Sequence, residues 1–215
     1  MANILYLSFS LVYVFMIGYA WRLTDQKDLQ YRFYLLILAA LFYDNFVSGI
    51  GFAIGAGPFL KFINFFRFAF HAFITPLLCY VVFKIAQKMQ VAIAQSVIAE
   101  GVVWVMIVAF MISGYMHDIA PMDFVPQVKW GVLNYTHSQS SIPLPVILIN
   151  VFVLGMAILI WKKIGWPGLF LVSICMFCIA AIPVRKVGLL PGNAGEIILA
   201  YGFLLAQKKV LVSST

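Results

Sequence analysis

Apolar residues run in blocks too long for a water-soluble fold, with polar residues gathered at the block ends. Seven blocks reach spanning length: Asn3–Trp21, Tyr34–Ile54, Phe59–Ile85, Val91–Tyr115, Ile142–Trp161, Trp166–Pro183 and the shorter Pro191–Leu205. A helix rises about 1.5 Å per residue, so about 20 residues cross the roughly 30 Å hydrocarbon layer of a bilayer. Strands of a transmembrane barrel would run near 10 residues with strict alternation, a pattern absent from this chain. The blocks predict an all-α fold, a polytopic integral membrane bundle of seven transmembrane helices with residues 1–215 as a single transmembrane domain. Pro76, Pro143, Pro145 and Pro167 mark candidate kinks. No pair of interrupted helices and no internal repeat stands out.

Composition sharpens this. Of 215 residues, 64% are hydrophobic and 10% charged, with mean hydropathy +1.03, against about 45–50% and about 25% in ordinary soluble domains. A disordered chain, a coiled coil, a disulfide scaffold and a conventional nucleic-acid binder are excluded. The net charge of +7 sits mostly at block ends, where it orients a protein in the membrane. With the N-terminus outside, the inner flanks carry Arg22, Lys27, Arg32, Lys84, Lys88, Lys162, Lys163, Lys208 and Lys209. The outer flanks carry Lys61, Lys129, Arg185 and Lys186, which makes nine against four. The positive-inside rule then predicts N-terminus outside and C-terminus inside. The first block has no Lys or Arg before it and lacks a small-residue cleavage site, so it reads as a retained span.

The longest connection, residues 117–141, lies outside between spans four and five and is rich in polar and aromatic groups, among them Trp130, Asn134, Tyr135 and His137. It covers an outward-facing pocket, or it rests at headgroup level on Trp130 and Tyr135. Asn134-Tyr135-Thr136 is a formal glycosylation sequon. Cys79, Cys175 and Cys178 all lie inside apolar blocks, so the CxxC spacing of the last two reads as helix packing. Three histidines without metal-ligand spacing argue against a zinc site. Neither a metal nor another cofactor is expected.

Ionisable residues at bilayer depth cost roughly 2.5–3.5 kcal/mol each on insertion scales and usually face the bundle interior, where they mark function. Five stand out: Asp44, Arg67, His71, Glu100 and Glu196. Counting helical rise places Asp44 level with His71 near mid-membrane, and Arg67 level with Glu196. Asn64, Arg67 and His71 follow i, i+3, i+7 spacing on one helical face, and Asn193 and Glu196 stand at i, i+3. Asp44 shares a face with Ser48, Gly51 and Gly55, within a small-residue run that lets another backbone or a ligand approach closely. Three spans thus aim polar groups at one cavity. The expected catalytic residues are Asp44, His71 and Glu196, with Asn45, Asn64, Arg67, Glu100 and Asn193 binding substrate. A buried ion pair with Asp44 or Glu196 that only fixes helix packing is the competing reading of Arg67, and a helix–helix hydrogen bond that of Glu100. The Phe-rich stretch Phe62–Phe73 reads as packing and lipid contact, with shielding of a carbocation as the alternative.

Tyr43-Asp-Asn-Phe-Val-Ser-Gly-Ile-Gly51, Arg67-Phe-Ala-Phe-His-Ala-Phe-Ile-Thr-Pro-Leu-Leu78 and Gly192-Asn-Ala-Gly-Glu196 resemble recurring stretches of a group of small polytopic membrane proteins from bacteria and plastids. The resemblance covers most of the chain and implies no activity; it implies a bacterial plasma membrane as the location. In size, span count and acidic residues on an early and the last span, matched by Asp44 and Glu196, the chain is also similar to the seven-span membrane terpene cyclases. The resulting expectation is an integral-membrane enzyme acting on a lipid or isoprenoid by acid/base chemistry. That chemistry is a lyase or isomerase reaction of terpene-cyclase type, or a lipid hydrolysis. The alternatives are a small-molecule or ion transporter or channel, and a structural subunit of a membrane complex. Membrane lipids and a hydrophobic small-molecule substrate are the expected partners, and nucleic acid is not.

Overall fold

A computed structural model describes residues 2–23, 28–121, 123–138, 144–180, 182 and 188–213. Five helical segments are long and apolar enough to cross a membrane: Ala2–Leu23, Leu29–Ile54, Pro58–Lys88, Val97–Ile119 and Leu144–Ile164. The first two, α1 (Ala2–Leu23) and α2 (Leu29–Ile54), pack closely along their lengths. Helix α2 starts at Asp28, whose carboxylate accepts from the Gln30 N–H at 3.0 Å, a standard N-cap. Pro58 in the first turn of α3 (Pro58–Phe73) has no N–H to leave unpaired there.

The third predicted span is continuous in length but broken in the middle, between α3 and α4 (Leu77–Lys88). Pro76 has no N–H for the Ala72 carbonyl. The Thr75 N–H reaches back to Phe70 O, and the Leu77 N–H bonds Ile74 O. The regular acceptors of those donors, the carbonyls of His71, Ala72 and Phe73, are thereby released from the helical ladder. The chain therefore does contain an interrupted helix, at a proline the sequence marks only as a kink.

Helix α5 (Val97–Gly114) is capped by Ser96 and closes in a π-turn, Tyr115–Ile119. One element departs from the all-α expectation in this mostly helical chain. Strands β1 (Phe124–Lys129) and β2 (Val132–His137) pair antiparallel, from Phe124 opposite His137 to Lys129 opposite Val132. The two-residue turn Trp130-Gly131 has φ of 55° and 76°, the left-handed pair of a type I′ hairpin. Pro126 is tolerated because both strands of a two-stranded ribbon are edges. Helices α6 (Leu144–Ile164), α7 (Gly168–Ala180) and α8 (Leu190–Ser213) complete the described elements. Lys27, Pro143, Arg185, Lys186 and residues 139–141 of the long connection lie outside the described residues.

The main core runs between the helices around fully buried Tyr13, Tyr34, Leu38, Phe83, Ile107 and Phe203. A separate cluster of Leu60, Phe124, Leu133 and Tyr135 lies under the hairpin. The outward faces are apolar: Val97 and Ile98 are 86% and 80% exposed. Such faces suit lipid contact, where close packing and not hydrophobic exclusion holds helices together. At the end of the bundle where α2 begins, Lys88 pairs with Asp28 at 2.5 Å and Lys84 with Glu100 at 3.0 Å.

Candidate functional site

The i, i+3, i+7 face of α3 turns Asn64, Arg67 and His71 toward α2, and Asn193 and Glu196 approach from the first turns of α8. The Arg67 guanidinium donates through Nε to Asp44 Oδ1 at 2.8 Å and through Nη1 to Asn64 Oδ1 at 2.9 Å. The other Asp44 oxygen accepts from Asn193 Nδ2 at 2.6 Å, and Asn193 lies 3.3 Å from Asn45 Oδ1. Asn45 and Asn64 anchor themselves on the Leu41 and Leu60 carbonyls of their own helices, both at 2.8 Å. Asp44 and Arg67 are each 6% exposed at the side chain, so a full ion pair is sealed among three helices. Charges this deep persist because each is matched and hydrogen-bonded; removing one partner of such a pair costs about 3–5 kcal/mol. Of the two carboxylates that the sequence offers Arg67 as a partner, Asp44 holds it.

His71 stands at the edge of this network. Its Nε2 lies 3.8 Å from Asp44 Oδ1 and its Nδ1 3.5 Å from the Thr75 hydroxyl. At 30% side-chain exposure it faces a cavity of about 50 Å³ between α2, the α3–α4 break, α6 and α8. Glu196 lines the same cavity, with its Oε2 buried and without a hydrogen-bond partner. The remaining wall is mostly apolar, with Tyr34, Thr75 and Asn150 as further polar groups. At roughly 10–15 Å³ per water, the enclosed space holds a few waters or the reacting end of a longer molecule. A larger groove between α1 and α8 carries Tyr19, Tyr201 and Lys208 but no carboxylate or imidazole, so a carboxylate and an imidazole meet in the first cavity alone of these two.

The hairpin closes the site on the Asn64 side. The Tyr135 N–H donates to Asn64 Oδ1, and Asn134 Nδ2 to the Ser48 hydroxyl, both at 3.3 Å. Gly51 makes this possible: a Cβ there would stand 2.0 Å from the Leu133 carbonyl oxygen. The backbone that the small-residue run admits is the chain's own. At the base of the hairpin Asp123 accepts from the Ser138 hydroxyl and lies 2.6 Å from His137 Nδ1. These contacts, Ser138 first, hold its carboxyl down at about 2 from an ordinary 3.8.

Glu100 stands apart from these groups. It does not line the cavity; it sits in the first turn of α5 and pairs with Lys84. Residues Ala92–Gln95, part of the apolar block, form a 3-10 turn, so α5 begins six residues later than that block and Glu100 lies near its end. Of the six phenylalanines from Phe62 to Phe73, only Phe70 lines the cavity; Phe62 and Phe65 pack on Phe66, and Phe68 on Phe124. Tyr34, Thr75 and Asn150 went unmarked because single uncharged polar groups on apolar helices carry no distinctive signal. Among the described residues no three His, Cys, Asp or Glu side chains cluster as metal ligands. No family model matches this chain, and no curated protein or solved structure matches it either.

Proposed function

We propose that this chain is an integral-membrane enzyme that performs acid/base chemistry on a lipid or isoprenoid, with His71 and Glu196 as the groups that exchange protons with the substrate. The observation that carries the reading is the meeting of these two side chains in one mostly apolar cavity. One donates a proton to an alkene, epoxide or ester oxygen. The other removes one from a neighbouring carbon or from water, so that a terpene-cyclase-like isomerisation balances without an external reagent. Asp44 is a positioning residue: fixed by Arg67 and Asn193, it holds a negative charge behind His71 and stabilises the imidazolium. Arg67 neutralises Asp44 in the resting state. Phe70 gives the wall an aromatic face for a developing cation. The reacting end of the substrate enters the cavity while its apolar tail stays among the helices and lipid.

The chain crosses the membrane seven times in this reading, with α3 and α4 as one span and the shorter α7 and α8 as the last two. The N-terminus is outside and the hairpin covers the outer side, in a bacterial plasma membrane. The shared end of Asp28, Lys84, Lys88 and Glu100 supports a common inner face for the start of α2, the end of α4 and the start of α5. A cysteine introduced at Lys129 is then labelled from outside and one at Lys163 from inside; the reverse pattern overturns the orientation. The activity is tested by lipid and terpenoid profiles of a host expressing the wild type, Glu196→Gln or His71→Asn at equal membrane level. A product made by the wild type and lost in both variants is expected. Identical profiles in all three overturn the enzymatic reading. The interrupted α3–α4 helix beside the cavity favours one second reading, an ion or proton path, which predicts liposome flux sensitive to Glu196→Gln.

A further inference from the structure

Polar groups continue from the cavity toward the end of the bundle where α2 begins and α8 ends. Gln30 and Gln207 are 0% and 1% exposed, yet neither carboxamide has a partner at its oxygen or its nitrogen. The Tyr13 hydroxyl is buried and equally unpartnered. With Glu196 Oε2, that makes six of the nine buried unpartnered side-chain atoms found among the described residues.

Contacts of Tyr34 between α2 and α8 set the order of these groups. The Tyr34 hydroxyl donates to Ala200 O at 2.7 Å, and its ring faces Phe203 at 6.3 Å. Helices α2 and α8 run antiparallel there. One turn before Tyr34 on α2 is Gln30, and one turn past Phe203 on α8 is Gln207, so the two carboxamides come level. Tyr13 on α1 shares the buried core with Tyr34 and Phe203. The column therefore runs Gln30 and Gln207, then Tyr13 and Tyr34, then Glu196 with His71, Asp44 and Arg67 beyond it. At its far end, Asp28 and Lys88 are about one-third exposed.

A buried amide or hydroxyl left without a partner costs about 1–3 kcal/mol. Six such atoms would cost about as much as the whole stability of a typical fold, so something satisfies them. Carboxamides and hydroxyls each both donate and accept, and none of them carries a charge. That chemistry suits water, not an ion or an anionic ligand.

We propose that a file of bound water molecules runs from the Asp28–Lys88 end past Gln30, Gln207 and Tyr13 to Glu196, and that it resupplies Glu196 with protons from that side. The proposal rests on the reading of Glu196 as a proton-exchanging group and gives that group its source. The glutamines are positioning residues, since they hold water and do not titrate.

The first test is water-edited solid-state NMR of the full chain in lipid bilayers, with glutamine side chains labelled with 15N and signals assigned by Gln30→Leu and Gln207→Leu. Water polarisation reaches the Gln30 and Gln207 amides about as fast as that of exposed Gln95. Build-up slowed tenfold or more means dry amides paired with each other and overturns the proposal. The second test follows the Glu196 carboxyl band, assigned by its loss in Glu196→Gln, by infrared spectroscopy after a pH jump. Gln30→Leu/Gln207→Leu slows its change at least tenfold at unchanged amplitude; an unchanged rate overturns the proposal. Should the double variant fail to fold, the NMR result on the wild type decides alone. Neither readout depends on product formation, so a chain with this water file and no enzymatic product separates the two readings.

Discussion

Gly51→Ala tests how the hairpin is seated. The added methyl would stand 2.0 Å from the Leu133 carbonyl oxygen, where carbon–oxygen contact needs about 3.3 Å. Because the obstacle is backbone, the hairpin has to lift by about 1.3 Å, the difference of those two distances. The Asn134–Ser48 and Tyr135–Asn64 bonds, both already 3.3 Å, then exceed bonding distance. Two neutral buried bonds contribute about 0.5–1.5 kcal/mol each, and alanine returns about 1 kcal/mol of helix propensity. With typical overpacking costs of about 1–3 kcal/mol, the net bias against the seated hairpin is about 1–5 kcal/mol, roughly fivefold to a thousandfold or more in population. Hydrogen exchange of residues 124–137 in bilayer discs reads this directly. Gly101→Ala, with nothing within 4 Å of its Cβ, is the control. Because the cluster under the hairpin is separate from the main core, the bundle itself unfolds at nearly the wild-type temperature. Unchanged exchange in Gly51→Ala would refute the seating.

Asp44→Asn leaves Arg67 charged and buried, which costs about 3–5 kcal/mol; thermal unfolding in detergent shows the loss, and Asp44→Asn/Arg67→Gln recovers most of it. Wild-type stability for Asp44→Asn alone would mean that the pair is hydrated. Lys88→Ala, breaking a partly exposed pair with Asp28, changes stability by only about 0.2–1 kcal/mol, and a larger drop in the same assay would contradict that solvated setting. Asp123 is deprotonated more readily in the folded hairpin than in the open one, so its contribution is full above pH 3.8 and fades as pH falls toward about 2. Exchange of β1 and β2 accelerates across that window in the wild type and shows no such step in Asp123→Asn.

The helices that carry the site were legible because each is an apolar block with its few polar residues at helical spacing; Asn64, Arg67 and His71 could be set on one face from spacing alone. Pairing between helices was less legible. An arginine side chain spans about one helical turn, some 5.4 Å, so its Cα depth does not name its partner, and Arg67 reaches Asp44. Glu100 falls near a helix end because a 3-10 turn, Ala92–Gln95, occupies residues that apolar content does not distinguish from a membrane helix. The hairpin was hidden by its brevity: strands of six residues, one with Pro126, give a weak alternation beside blocks three times longer. The Trp130-Gly131 turn and the run of β-branched and aromatic residues after it were its only signals.

The tight link between α2 and α3 also bears on how the chain enters a membrane. Only Gly55, Ala56 and Gly57 separate the two helices, and Asp44 and Arg67 are 23 residues apart. Alone, α3 is a poor insertion substrate, with Lys61, Arg67 and His71 in 16 residues. Leaving the translocation channel together with α2, it presents Arg67 already matched to Asp44. The pair that anchors the finished site would thus let α2–α3 partition into lipid as one helical hairpin.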